Sequence, residues 1–283
     1  MYRQILVHPN DWDLQRILWK NEDHELNIYQ LVTVTYGMAC APFLSLRVMQ
    51  QLIEDEGLKY PRAISTLTKG RYVDDVFGGT DSIQETQETV RQVNKLCMAG
   101  GFPLKKWISN DPSTLNSIPS SDQLLASSVT IDKDTIIHAL GMNWSPITDE
   151  FQFTWTIPTY SKITKRTILS TIARFFDPLG LLAPAIINAK IFIQQLWTNQ
   201  LDWDDPLPTE LAIQWENLIK SFQEMNLMTI PRWLQTSHDS ICEIHGFCDA
   251  SQEALAAVVY VVSKDSNDKI NPVIMLKDQS CSD

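Results

Sequence analysis

No two of the five cysteines, Cys40, Cys97, Cys242, Cys248 and Cys281, form a C-x-x-C pair, and their number is odd. That argues against both a zinc site and a disulfide framework, and it predicts an intracellular redox setting. Long apolar runs are missing as well. The most apolar stretch, residues 179–193, is broken by Pro184, Asn188 and Lys190, too soon to span a bilayer. No apolar leader core precedes a cleavage site, so a soluble chain, or one belonging to a soluble particle, is expected, with no membrane partner. Positive charge is scarce: 23 Lys and Arg stand against 34 Asp and Glu, for a net charge of −11. That is the wrong sign for a chain that grips polyanions by its overall field, and it leaves only local patches for the purpose.

Two such patches exist. Residues 58–73 hold Lys59, Arg62, Lys69 and Arg71 with no acid, and in residues 159–190 five bases face only Asp177. Lys59, Lys69, Arg71, Lys162, Lys165 and Arg166 are the candidates for a phosphate track. Asp202, Asp204, Asp205, Glu210 and Glu216 have no base among them and are expected to face away from it.

At 283 residues the chain is long enough for about two domains, and its apolar fraction of 44% is ordinary for a globular protein. Residues 5–7 and 16–19 read as strands, the second turning through polar residues 21–25 into a strand over 26–36. Phe43, Leu46, Met49, Leu52 and Ile53 recur at helical spacing up to Gly57. Ser82 with Glu85 reads as a capping box opening a helix through Val90, Val93 and Cys97, closed at Gly100 and Gly101. Residues 110–128, rich in Ser, Pro, Asn and Asp, read as a surface connection. Strands follow over 135–140 and 150–157. Composition shifts at Pro158, and from Lys162 to about Met228 the pattern is helical, with Leu211, Trp215, Leu218, Phe222 and Met225 one turn apart. Trp107 and Trp144 are taken as core. These elements predict an α+β chain.

The run TKGRYVDDVFGGTD, residues 68–81, places Asp74 and Asp75 side by side between apolar residues. Leu67, Tyr72 and Val73 come before the pair, and Val76 and Phe77 after it. The carboxylates are expected at the tip of a hairpin, with Gly78 and Gly79 letting the backbone turn away. Paired carboxylates are hard oxygen ligands for Mg²⁺ or Mn²⁺, and two such ions stabilise the charge that develops in phosphoryl transfer. Two aspartates in a turn also have a plain reading, since Asp favours turns for local hydrogen bonding. The full string Tyr72-Val73-Asp74-Asp75 is rarer, and it resembles motif C of reverse transcriptases.

The neighbouring segments resemble that family in the same order, specifically the Bel/Pao type of long-terminal-repeat retrotransposon, over nearly the whole chain. Met1-Tyr2-Arg3-Gln4-Ile5 resembles the tail of motif A. Tyr2 matches the aromatic that crowds the sugar 2′ position, and the motif's metal-binding aspartate would lie upstream of Met1. Tyr36-Gly37-Met38-Ala39-Cys40-Ala41-Pro42 resembles motif B, in which Gly37 lets the backbone approach the template base and the nucleotide beside Tyr72. Gly101-Phe102-Pro103-Leu104-Lys105-Lys106-Trp107 resembles motif D, which makes Lys106 the candidate for protonating the leaving pyrophosphate. Leu140-Gly141-Met142-Asn143-Trp144 resembles the primer grip of motif E, through Gly141, Met142 and Trp144. Ile244-His245-Gly246-Phe247-Cys248-Asp249-Ala250-Ser251 and the apolar run 254–262 resemble the opening of a ribonuclease H fold, with Asp249 as its first metal ligand. Its other ligands would lie beyond Asp283, and residues 277–283 depart from the family's pattern, as in a spliced, frameshifted or degraded element.

Each match also has a plain reading: a simple turn at Gly37, a solvated Lys106, a frayed Tyr2, and a turn aspartate at position 249. The resemblance implies a palm over 1–110, a connection and primer-grip hairpin over 111–157, a helical thumb or connection over 158–235, and a truncated ribonuclease H-like start over 241–283. It implies RNA-directed DNA polymerase activity within a longer polyprotein, with RNA template, DNA primer and deoxynucleotides as partners. The implied setting is a cytoplasmic virus-like particle. By itself this stretch, with an incomplete ligand set, is expected to be inactive and to bind a primer–template hybrid weakly. The alternatives are a folded, non-catalytic remnant and an aspartic peptidase. The D-T/S-G signature of the latter is missing, and in Asp177-Pro178-Leu179-Gly180 a proline replaces the hydroxyl residue.

Overall fold

The chain divides into two compact units, residues 1–131 and 132–283. The computed structural model describes residues 1–124, 137–139, 141–155, 157–225, 228–237, 239–264 and 270–281.

In the first unit, β1 (Arg16–Lys20) and β2 (Leu26–Gln30) pair antiparallel from Arg16↔Gln30 to Lys20↔Leu26. The Glu25 amide donates to Asn21 Oδ1 at 2.8 Å, closing the polar turn. A short 3-10 turn, Tyr2–Gln4, precedes the strand expected over 5–7, which is reduced to a single antiparallel bridge, Leu6↔Thr33, flanked by the Val7–Val32 and Val34–Ile5 backbone bonds. Helix α1 (Ala41–Glu56) carries Pro42 in its first turn, where the missing N–H costs nothing, and ends at Gly57. Helix α2 (Pro61–Lys69) has no counterpart in the sequence reading, because its buried stripe is only Ala63 and Leu67. Leu67 therefore lies on a helix, not on a strand leading to the aspartates. Next come β3 (Arg71–Tyr72), β4 (Asp75–Val76) and α3 (Ile83–Ala99).

Ser82 Oγ caps α3 by accepting from the Glu85 amide at 3.3 Å. At the other end Gly101 takes φ +74, and the amides of Gly101 and Phe102 donate to Met98 and Cys97 carbonyls at 3.0 and 2.9 Å. This is a Schellman stop, and it folds Phe102 into the core. Met49, Leu52 and Ile53 of α1, Ala63 and Leu67 of α2, and Val93, Leu96 and Cys97 of α3 form that core. Burial pushes the Cys97 thiol up to about 12, so it behaves as a small apolar side chain. Residues 110–124 are less superficial than their composition suggests. A 3-10 turn over Pro112–Leu115 buries Thr114 and Leu115, and Ile118 follows them in. Residues 125–128 of the expected connection lie outside the described residues.

On the exposed side of α3, Glu88 accepts from Arg91 at 2.7 and 2.5 Å and from Gln92 at 2.6 Å. The Arg91 hydrogen bond, then that from Gln92, lowers the Glu88 carboxyl from 4.5 to about 2. A carboxylate with a depressed folded pKa contributes stability above its unfolded pKa and loses it as the pH falls through the folded one. The window here is therefore 4.5 down to about 2. A carboxyl-carbon NMR titration should find Glu88 still ionised at pH 3, and Arg91→Met should return its midpoint towards 4.5. A wild-type midpoint near 4.5 would contradict the pairing.

In the second unit, β5 (Ile137–Ala139), β6 (Met142–Ser145), β7 (Glu150–Gln152) and β8 (Thr229–Pro231) form an antiparallel sheet in that order. β8 comes from beyond the composition shift at Pro158, so one sheet draws strands from both sides of it. Thr135, Ile136, Leu140 and Thr156, within the expected strands, lie outside the described residues. Helices α4 (Lys165–Ile172), α5 (Ala183–Thr198) and α6 (Thr209–Met225) lie between β7 and β8. Thr164 and Thr167 form a reciprocal capping box at α4. Ile168, Ile186, Ala189, Phe192, Leu196, Trp215, Phe222 and Met225 build the core, with Leu211 and Leu218 partly buried against it. An aromatic chain threads it: Phe153 near Trp155, Trp155 edge-on to Phe175 at 4.4 Å, and Phe175 edge-on to Phe222 at 4.7 Å.

Last come β9 (Ile241–Ala250), β10 (Ala254–Lys264) and β11 (Ile270–Cys281), an antiparallel sheet with β10 in the centre. Every residue of β9 is exposed. The backbone of residues 277–281 continues β11, paired with β10 from Ala254 to Val258.

Candidate functional site

The Asp74–Asp75 pair sits on a minimal hairpin. Arg71 pairs with Val76 and Tyr72 with Asp75, leaving Val73 and Asp74 as the turn. Val73 takes φ +49, a left-handed conformation that a β-branched residue adopts only under constraint. Both carboxylates are exposed, and among the described residues neither has a hydrogen bond or ion pair; the Tyr72 ring beside them is 62% exposed. The base of the hairpin is tied to α2. The Phe77 amide donates to the Gly70 carbonyl at 2.7 Å, and a Cβ on Gly70 would stand 1.9 Å from the Phe77 oxygen and 2.9 Å from that of Thr66. Neither Gly78 nor Gly79 has a positive φ, and a Cβ on Gly78 would stand 2.9 Å from the Thr66 methyl while one on Gly79 would meet nothing within 4 Å. The glycine this hairpin needs is Gly70. Val73 and Val76 pack against the core, and Arg71 reaches back to α1.

Tyr2 is buried, with its ring 5.0 Å from that of Tyr36, so the start of the chain meets the segment before Gly37 there. Gly37 takes φ +86 in an exposed turn, with nothing within 4 Å of the place a Cβ would occupy. Lys106 is exposed at φ +58. Its neighbours hold the backbone there: Lys105 pairs with Asp122, the Trp107 amide donates to the Asp122 carbonyl at 2.9 Å, and the Leu124 amide to that of Trp107 at 2.8 Å. Trp107 itself is only partly buried against the core. Of the cations in this unit, Lys59 pairs with Glu56 at 2.6 Å, while Lys69 is exposed.

In the second unit Gly141 turns at φ +83 against Phe176, whose ring carbon Cε1 would lie 2.5 Å from an added Cβ. Met142 and Trp144 are half-buried on β6. Trp144 is not a core residue: its indole donates to Asp149 at 3.0 Å, and Asp149 also receives Arg232 through two bonds of 2.6 and 2.9 Å. Lys162 is exposed.

The other two proposed track cations of this unit are engaged within it. Lys165 is buried, donating to the Leu201 carbonyl at 2.8 Å with its ammonium 3.7 Å from the centre of the Trp197 ring. Arg166 forms a forked pair with Asp204 at 2.7 and 2.9 Å. The segregation of cations from acids expected along the chain is therefore not kept in space, because the turn after α5 brings residues 201–206 back to the start of α4. Neither Lys165 nor the Asp149–Arg232 pair carries a local sequence signal, since each partner is remote in the chain.

Asp249 lies on the exposed β9, opposite Ala256, and accepts from the Ala250 amide at 2.9 Å. The carboxylate of Asp177, weighed above for a peptidase, takes the amides of Leu181 and Leu182 at 3.0 and 2.7 Å. Burial raises its pKa despite those bonds, and its position is that of a cap for the turn entering α5.

Hard carboxylate oxygens suit Mg²⁺ or Mn²⁺ in kind. In number they fall short: no group of three or more His, Cys, Asp or Glu side chains able to hold a metal occurs among the described residues. Asp74 and Asp75 are a pair, and Asp249 stands in the other unit. A surface groove of about 410 Å³ between α5 and α6, lined by Asn188, Gln195, Gln214 and Asn217, takes in none of these residues.

Residues 164–278 match the family model of the Pao retrotransposon-like RNaseH-like domain. Over that segment the chain is similar to Bel/Pao-type retrotransposon polyproteins. The Pao match runs from the cap of α4 into β11, so one description covers both the helical segment and the strands that follow it. The mixture of helices and small antiparallel sheets agrees with the expected α+β class. No curated protein matches the chain. Among the described residues no helix is long and apolar enough to cross a membrane.

Proposed function

We propose that residues 1–110 form the palm of an RNA-directed DNA polymerase, and that the Pao segment leads from a thumb or connection element into ribonuclease H-like sequence. The observation that carries this reading is the exposed, unpaired Asp74–Asp75 turn on a hairpin tied to α2 at Gly70. A divalent cation held there would supply charge stabilisation for the attacking 3′-oxygen and the departing pyrophosphate. Asp74 and Asp75 would hold it through their oxygens, and the tied hairpin would keep them in place. The open turn at Gly37 admits the template base, Tyr2 lies beneath that turn, and Tyr72 borders the nucleotide. Lys106 delivers a proton to the leaving pyrophosphate. In the second unit Met142 and Trp144 steady the primer and Lys162 offers a cation to nucleic-acid phosphates; in the first unit Lys69 offers another. Asp249 serves the ribonuclease H-like part in the same way as the hairpin pair. The setting is the rest of the polyprotein in a cytoplasmic particle.

A folded remnant that binds nucleic acid without chemistry is the second reading, favoured by the missing third carboxylate among the described residues. Mn²⁺ titration of residues 1–283 tests the metal role directly. Weak paramagnetic broadening is expected at the amides of residues 72–77, and it should vanish in Asp74→Asn. Amides that stay sharp at every Mn²⁺ concentration would remove the basis for a polymerase site.

A further inference from the structure

We propose that Arg71 is a positioning residue for the Asp74–Asp75 turn and not a phosphate contact; the proposal rests on reading that turn as the metal-binding hairpin. In the sequence Arg71 belongs with Lys59 and Lys69, in a stretch free of acids. In space it differs from both. Its guanidinium turns inward and donates to the carbonyls of Ser45 and Leu46 at 3.5 and 3.4 Å. Each backbone carbonyl has two lone pairs, and the ladder of α1 uses only one of them, so both carbonyls can take a second donor. Nε of Arg71 is buried without a hydrogen-bond partner among the described residues, and desolvation by burial lowers the pKa of the group. A cation that meets phosphate keeps its donors in water, as exposed Lys69 does. Arg71 has exchanged that water for the second turn of α1, the helix that begins just after the Gly37 turn.

The hairpin needs such an anchor. Its ladder has two residue pairs, extended by the Phe77–Gly70 bond at its base, and Val73 at its turn is at φ +49. Strain of this kind persists where the surroundings over-determine the backbone. Gly70 fixes the base of the hairpin on α2, and Arg71 supplies the second point, on α1. Both Arg71 bonds are long, so each is weak and the pair acts together through the planar fork of the guanidinium. Height and tilt of the two aspartates relative to the Gly37 turn are then set by a residue that touches neither metal nor nucleic acid.

Amide exchange and hybrid binding across a salt series, on residues 1–283, decide the matter. In Arg71→Met the Asp74 and Asp75 amide resonances should shift and the Phe77 amide should exchange about tenfold faster or more, while amides within α3 keep their protection. The slope of log affinity against log salt for a primer–template hybrid should stay as in the unsubstituted chain. In Lys69→Met, the comparison for a cation that meets phosphate, that slope should fall by about one. Arg71→Lys keeps the charge but loses the fork, so its Phe77 exchange should lie between wild type and Arg71→Met; it serves if the methionine variant does not fold. Unmoved hairpin amides, or a slope that falls in Arg71→Met as in Lys69→Met, would overturn the proposal. Exchange needs no metal, so a failed Mn²⁺ titration would count against the polymerase reading and leave the role of Arg71 to be judged on the amides.

Discussion

In a polypeptide that also carries a motif A aspartate ahead of Tyr2, Asp74→Asn should lower primer extension on an RNA template by about a thousandfold or more. Asparagine keeps the size and one oxygen of the side chain but removes the negative charge that a divalent cation requires. Among the described residues Asp74 and Asp75 belong to no group of three or more possible metal ligands, so none of these residues stands ready to replace the lost charge. Asp75→Asn should act in the same direction. Single-turnover extension with a labelled primer measures the effect, and it also separates the two readings of the chain. Extension at near wild-type rate in Asp74→Asn would mean that the catalytic carboxylates lie elsewhere. No extension by the unsubstituted polypeptide would favour the remnant.

A comparable loss, this time of stability, is expected at Phe222. Its side chain is fully buried between α6 and the aromatic chain, edge-on to Phe175 at 4.7 Å. Phe222→Ala removes most of a ring from a packed interior and should cost about 3–5 kcal/mol in the unit that holds α4 to α6. Ile213, 55% exposed on the same helix, is the control, and Ile213→Ala should stay within about 0.5 kcal/mol. Urea unfolding followed by tryptophan emission would register both, since Trp155 and Trp215 belong to that core. A shift at Phe222 no larger than at Ile213 would show that the core is packed otherwise.

Periodicity and capping made much of the first unit readable. Met49, Leu52 and Ile53 mark the buried stripe of α1, and Ser82, Glu85, Gly100 and Gly101 bracket α3, because both signals act within a few residues. The same holds for Trp215, Phe222 and Met225 on α6. Helix α2 escaped notice because it buries only Ala63 and Leu67, too few positions to show a period. The hairpin around Asp74 and Asp75 was legible as a hairpin, yet the glycine that shapes it, Gly70, was not. Its need arises from the Phe77 carbonyl folding back onto it, a contact across the turn. Charge was the least legible property of all. Counting Lys165 and Arg166 as free cations fails because Leu201, Trp197 and Asp204, more than thirty residues away, claim them.

Strand β9 has a practical consequence. Ten residues long and exposed throughout, with Ile241, Ile244 and Phe247 each more than half open to water, it has no strand on its outer edge among the described residues and can offer that edge to a passing extended segment. Natural sheets blunt such edges with proline, lysine or a covering element. Here neither proline nor lysine occurs between residues 241 and 250. Self-association through this edge is second order in protein, so concentration, more than temperature, sets how long the chain stays monomeric in a tube.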